Sequence, residues 1–180
     1  YTTKVDIYLE YQDENDLRFD FTSAINQPNG DHRRDFIFNC GFYNDESLGN
    51  RFVCSASNNM PGWPKNPDRN PTAFYGEGWY TFVHTFNNNA GTLSVDLDIY
   101  SKSDNSHIGT WTLSDYKDII GTTVGGNRYG WFAVNGFSKL AIDNSERIGC
   151  DEEAIPEFTT LGALAVLGIV AGFVFFKRRK

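Results

Sequence analysis

The sequence predicts an all-β domain, an antiparallel two-sheet sandwich (jelly roll), followed by one C-terminal transmembrane α-helix. Three observations carry the prediction. Apolar residues within 1–150 recur with period two rather than 3.6. Clusters of Asn, Asp, Ser, Gly and Pro cut that pattern into short runs. Finally, Thr159–Phe176 is an 18-residue stretch without a charge, followed at once by Lys177-Arg178-Arg179-Lys180.

The runs follow one another in order. Val5, Ile7, Leu9 and Tyr11 alternate with Asp6, Tyr8 and Glu10; Leu17, Phe19 and Phe21 alternate with Arg18, Asp20 and Thr22. Phe36, Phe38, Cys40 and Phe42 share a face, as do Phe52, Cys54 and Ala56. Trp79–Tyr100 reads as a hairpin, with Tyr80, Phe82, His84 and Phe86 facing one way, then Leu93, Val95, Leu97 and Ile99. Shorter runs lie near Ile108–Leu113, Tyr129–Val134 and Leu140–Ile142. About nine short strands are expected, and single-face alternation requires two sheets to close on each other. One short helix is expected at Ser114–Ile120, with Ser114 as cap and Asp115 in the first turn.

Eighteen helical residues rise about 27 Å, close to a hydrocarbon core of roughly 30 Å. The basic end is expected in the cytoplasm and residues 1–150 outside, at the cell surface. An outward domain requires an export signal, expected to have been removed before Tyr1. Gly168 and Gly172 add a G-x-x-x-G spacing within the span, a feature of helix pairing that is also common in apolar segments. The chain thus divides into an extracellular sandwich (1–150), an acidic stalk (151–158), a membrane helix (159–176) and a basic cytoplasmic tail (177–180).

Charge follows the same division. The formal charge of −7 hides three balances: 12 Lys and Arg against 19 Asp and Glu in 1–150, four acids in 151–157, and four bases at the end. The mean hydropathy of −0.44 describes none of these parts. An acidic chain has no cationic surplus with which to displace counterions, which excludes phosphate-driven nucleic-acid binding. Aromatic residues at 16% argue against disorder.

Ile155-Pro156-Glu157-Phe158-Thr159-Thr160, an apolar span and a terminal basic cluster together resemble the C-terminal sorting signals of the PEP-CTERM and archaeal PEF-CTERM type. Phe158 after Pro156-Glu157 favours the archaeal variant. The resemblance implies an exosortase- or archaeosortase-like processing partner, cleavage near Pro156-Glu157, and transfer of the outer domain to the cell surface. A plain single-pass anchor is the alternative. The hairpin at 79–100, followed by Ile108-Gly109-Thr110-Trp111, is similar to the later strands of concanavalin-like (lectin and laminin-G-like) sandwiches, a likeness of pattern without a diagnostic motif.

Cys40 and Cys54 lie in phase on the apolar faces of consecutive strands, 14 residues apart. In an exported chain this predicts a disulfide, against two buried free thiols. Cys150 is left over, and three scattered His with no C-x-x-C give zinc no support.

No enzyme signature survives its context. Asp96 and Asp98 have the acid-x-acid spacing of a glycosidase strand but read as a solvated face, and Glu77 stands alone. The E-x-D-x-x-E pattern of concanavalin-like glucanases is absent. Ser114-x-x-Lys117 and Ser103-Asp104-Asn105 echo β-lactamase motifs in reversed order, with K-T-G missing. His84, on an apolar face, reads as a hydrogen-bonded core residue. Calcium is a candidate cofactor, with Asp13, Asp16 and Asp104 in acidic turns that do not match the EF-hand loop.

Carbohydrate binding is the leading function. Sugars stack on exposed rings and bond to amides, carboxylates and guanidinium groups. The candidate contacts are Trp63 and Tyr75, in or beside the Pro-rich stretch 58–75, and Asn127, Arg128 and Tyr129 after Gly125-Gly126. Trp79, Trp111 and Trp131 sit in strand runs, where core packing is the default. The expectation is therefore a non-enzymatic surface protein that binds glycans or surface polymers. Its alternatives are a self-assembling homo-oligomeric surface, filament or matrix protein, and a glycan-active enzyme.

Overall fold

Alternation produces strands throughout the computed structural model, which describes residues 1–58, 66–120, 124–125 and 130–149. Eleven strands form among the described residues: β1 (Thr2–Leu9), β2 (Leu17–Asn26), β3 (His32–Asp45), β4 (Gly49–Ser57), β5 (Thr72–Phe74), β6 (Gly78–Asn89), β7 (Thr92–Ser101), β8 (His107–Ile119), β9 (Val124–Gly125), β10 (Trp131–Asn135) and β11 (Ala141–Ile148). One sheet has the order β11-β1-β6-β7-β8. The other has the order β10-β2-β3-β4-β5, with β9 also paired to β2. Every pairing is antiparallel. The all-β, two-sheet expectation holds for Tyr1–Ile148, which cluster as one unit; Gly149–Lys180 form a second. Among the described residues no helix is long and apolar enough to cross a membrane. The span 159–176, the motif Pro156-Glu157-Phe158 and Cys150 lie outside them.

Inward side chains of both sheets meet in a Phe-rich core. Ile7, Phe82, Leu97 and Ile99 from one sheet and Phe38, Phe42 and Cys54 from the other are fully buried. Phe38 and Phe82 pack edge to face with ring centroids 5.1 Å apart, and Phe36 and Phe86 do so at 5.6 Å. Cys40 and Cys54 sit directly opposite in the β3–β4 ladder and form the predicted disulfide. At the β6–β7 turn, Ala90 and Gly91 both take positive φ, 50° and 90°, the conformation of a tight two-residue hairpin.

The helix expected at Ser114–Ile120 does not form. Ser114–Ile119 instead continue β8, which runs on from His107. Ser114 caps no helix and Asp115 sits in no helical first turn: its Oδ1 accepts the Lys117 amide at 2.9 Å, a local turn that competes with helical bonding. Three more residues lie between partners on β8 than on β7 here, since Thr92 pairs Ile119 while Ser94 pairs Ser114. This bulge lets the acids of β8 reach the other sheet. Arg33 Nε meets Asp118 Oδ1 at 2.7 Å, Arg34 Nε meets Asp118 Oδ2 at 2.5 Å, and Arg34 also pairs with Asp115 at 3.0 Å. Asp118 is 1% exposed and carries both arginines.

Candidate functional site

The five-stranded sheet presents the site on its outward face. Because Val5, Ile7 and Leu9 point into the core, Lys4, Asp6 and Tyr8 point out from β1. The same parity turns Trp79, Thr81 and Val83 outward on β6, and Asp96, Asp98 and Tyr100 outward on β7. Strand register then aligns Asp6, Thr81, Tyr100 and His107 in one row across four strands. The next row along the strands pairs Tyr8 with Trp79.

Asp6 is the pivot of this row. It is only 4% exposed, yet it lines a cleft of about 460 Å³. Its carboxylate accepts bonds from Thr81 Oγ1 at 2.6 Å, from Asn144 Nδ2 at 2.7 Å, and from Lys102 Nζ. Burial pushes its carboxyl up, but these three donors outweigh burial and hold it below the usual range. The remaining lining is polar too: Lys4, ion-paired with Glu146, and Asn105 and Ser145.

Rings stand on the same outward face, outside the cleft's own lining. Tyr8 and Trp79 form an edge-on pair at 5.3 Å and are 37% and 36% exposed. Tyr100 packs against His107 at 5.2 Å. Burial, and then the neighbouring Asp98, raise the Tyr100 phenol above its ordinary value, so it remains a neutral donor. Trp79 therefore corrects the expectation of core packing: inward Tyr80 and Phe82 leave it no choice but the outer face.

Farther along this face the two β7 acids are already engaged. Asp96 accepts from Thr112 at 2.6 Å and from Asn87 at 2.8 Å; Asp98 accepts from Thr110 and lies 3.4 Å from His107. Glu77 is a loop staple, accepting the Tyr11 amide at 2.7 Å.

Of the candidate sugar contacts, Tyr75 is described and 58% exposed. Its loop is pinned by the Tyr80 hydroxyl, which donates to the Gly76 carbonyl at 2.8 Å, and by the Tyr11 hydroxyl, which accepts the Gly76 amide at 2.8 Å. Trp63, Asn127, Arg128 and Tyr129 lie outside the described residues. Trp111 is in the core wall, 8% exposed, with its indole N–H donating to Asn70 O at 3.0 Å. The sequence does not single out Asp6, Thr81, Lys102 and Asn144 of the cleft, nor Tyr8 and Tyr100 beside them on the face. Parity marked Asp6 and Tyr8 as outward, but nothing in the sequence signalled their register with Thr81 and Tyr100.

The acidic turns do not converge. Asp16 pairs with Arg18 at 2.5 Å, Asp104 accepts the amide and hydroxyl of Ser106 at 3.1 and 2.8 Å, and Asp13 stands exposed. Among the described residues no group of three or more His, Cys, Asp or Glu could hold a metal ion. His84 is wholly buried, with Nε2 3.0 Å from Phe36 O and its ring edge-on to Phe21 and Phe38. Compared with known proteins, the chain matches no family model, no curated protein and no solved structure.

Proposed function

We propose that this chain is a non-enzymatic cell-surface protein, displayed through residues 151–180, whose sandwich binds glycans on the outward face of the five-stranded sheet. One observation carries the reading: a cleft lined by carboxylates, ammoniums, amides and hydroxyls lies beside exposed rings. A saccharide has the matching surface, with hydroxyls at its edge and C–H groups on its faces. Asp6, Asn144, Lys102 and Thr81 supply the edge bonds, while Tyr8, Trp79 and Tyr100, on the same outward face, offer rings for a sugar that extends beyond the cleft.

A glycan array probed with the full chain in a non-glycosidic detergent tests the reading. Retention of at least one glycan class is expected, weakened in Tyr100→Ala; silence on every glycan would refute it. The display route rests on the Pro156-Glu157-Phe158 motif, the apolar span and the basic end. Intact mass of the native protein tests it, since a mature chain still ending in Lys180 would refute sortase-type processing. Self-assembly remains the second reading, favoured by β11, an edge strand whose eight residues are all exposed, Ile142 and Ile148 among them. A strictly monomeric full chain at high concentration would remove it.

A further inference from the structure

We infer that the bound glycan is a linear chain of several sugars laid across the strands, and that a second cleft at Arg69 holds its far end. This rests on the saccharide reading of the Asp6 cleft.

The second cleft has a volume of about 440 Å³ and opens where β8 meets the loop leading into β5. Arg69, Asn70, Thr72 and Trp111 line it, with Thr110 and Thr112. Its loop is held in place, because the Trp111 indole fixes the Asn70 carbonyl. Arg69 is exposed and forms no hydrogen bond or ion pair with any described residue, whereas Arg18, Arg33, Arg34 and Arg51 each face an aspartate. A guanidinium offers five fixed donors, suited to sugar hydroxyls or to the carboxylate of an acidic sugar.

The two clefts adjoin one face. The hydroxyls of Thr110 and Thr112, which line the second cleft, donate to Asp98 and Asp96 on the outward side of β7. Between the clefts runs the row Lys4–Val83–Asp98–Thr110, whose first residue lines one cleft and whose last lines the other. It crosses three strand spacings, about 14 Å at roughly 4.8 Å each. A single sugar cannot touch both ends, and a chain can. The direction of the row, across the strands, sets the direction of the chain.

Titration calorimetry on the full chain in a non-glycosidic detergent tests this, with oligomers of glucose, N-acetylglucosamine and galacturonate from one to six units. For one series, affinity is expected to rise at least tenfold from monomer to hexamer. Arg69→Ala should abolish that gain, leave monomer affinity unchanged and leave the thermal midpoint unchanged. The series that responds separates a hydroxyl partner for Arg69 from a carboxylate. Equal affinity for monomer and hexamer, or a gain that survives Arg69→Ala, would overturn the extended site while leaving the glycan reading intact. No binding in any series would overturn both.

Discussion

His84 makes the stability of this fold depend on pH in a calculable way. It is wholly buried, and burial lowers its imidazole from 6.5 to about 3, against a small opposing effect of its bond to Phe36. Above 6.5 the ring is neutral in both folded and unfolded chains and costs nothing. Below 6.5 the unfolded chain takes up a proton that the folded chain refuses, so stability falls as pH falls, until the folded value near 3 is reached. Each unit in that window removes about 1.4 kcal/mol, so moving from pH 7.5 to pH 5 removes about 2 kcal/mol. The assay is urea unfolding with the disulfide intact at a series of pH values between these two, on the native chain and on His84→Gln. Glutamine retains an N–H for the Phe36 carbonyl but does not titrate. His32 and His107 are present in both proteins, so their contributions cancel in the difference. The native protein is expected to lose about 2 kcal/mol more than the variant over this range. Parallel stability curves would refute a neutral, buried His84.

Three other outcomes are expected. Asp118→Ala strands Arg33 and Arg34 at the joint between the sheets and should cost about 2–3 kcal/mol in denaturant unfolding, less than for a fully buried pair because the arginines are partly in solvent. Cys40→Ala combined with Cys54→Ala should cost about 3 kcal/mol through loop entropy, read as a lower thermal midpoint that dithiothreitol no longer shifts. Tyr100→Ala should weaken binding of an array-positive glycan by at least 1 kcal/mol, about fivefold, with little change in the urea midpoint of unfolding.

Legibility in the sequence tracked how local the cause was. Parity along one strand is local, so the inward Tyr80, Phe82, His84 and Phe86 were readable, and Trp79 should have been read as their outward neighbour. The disulfide was readable because the hairpin closes at Asp45 and Gly49, and Cys40 and Cys54 stand equally far from that closure. The false helix arose from real local chemistry at Ser114 and Asp115. A long-range pull overrode it, two arginines on β3 that a bulged β8 can reach. In the sequence Asp6 is one more polar alternate of β1. Its role depends on Thr81, Lys102 and Asn144, distant in sequence and joined only by strand order. A cleft assembled from β1, β6, β11 and the β7–β8 loop has no signature in any one segment.

Chain order gives β11 a mechanical meaning. Any pull transmitted from residues 149–180 enters the folded unit at Ile148, on an edge strand whose ladder, among the described residues, is with β1. That strand also supplies Asn144, which bonds Asp6, and Glu146, which pairs with Lys4. Under the proposed display, tension from that side would be borne first by two of the links that shape the cleft, and peeling β11 would dismantle the cleft before the Phe core felt the load. Under the proposed display and glycan binding, a cargo held there and a tail under strain would work against each other.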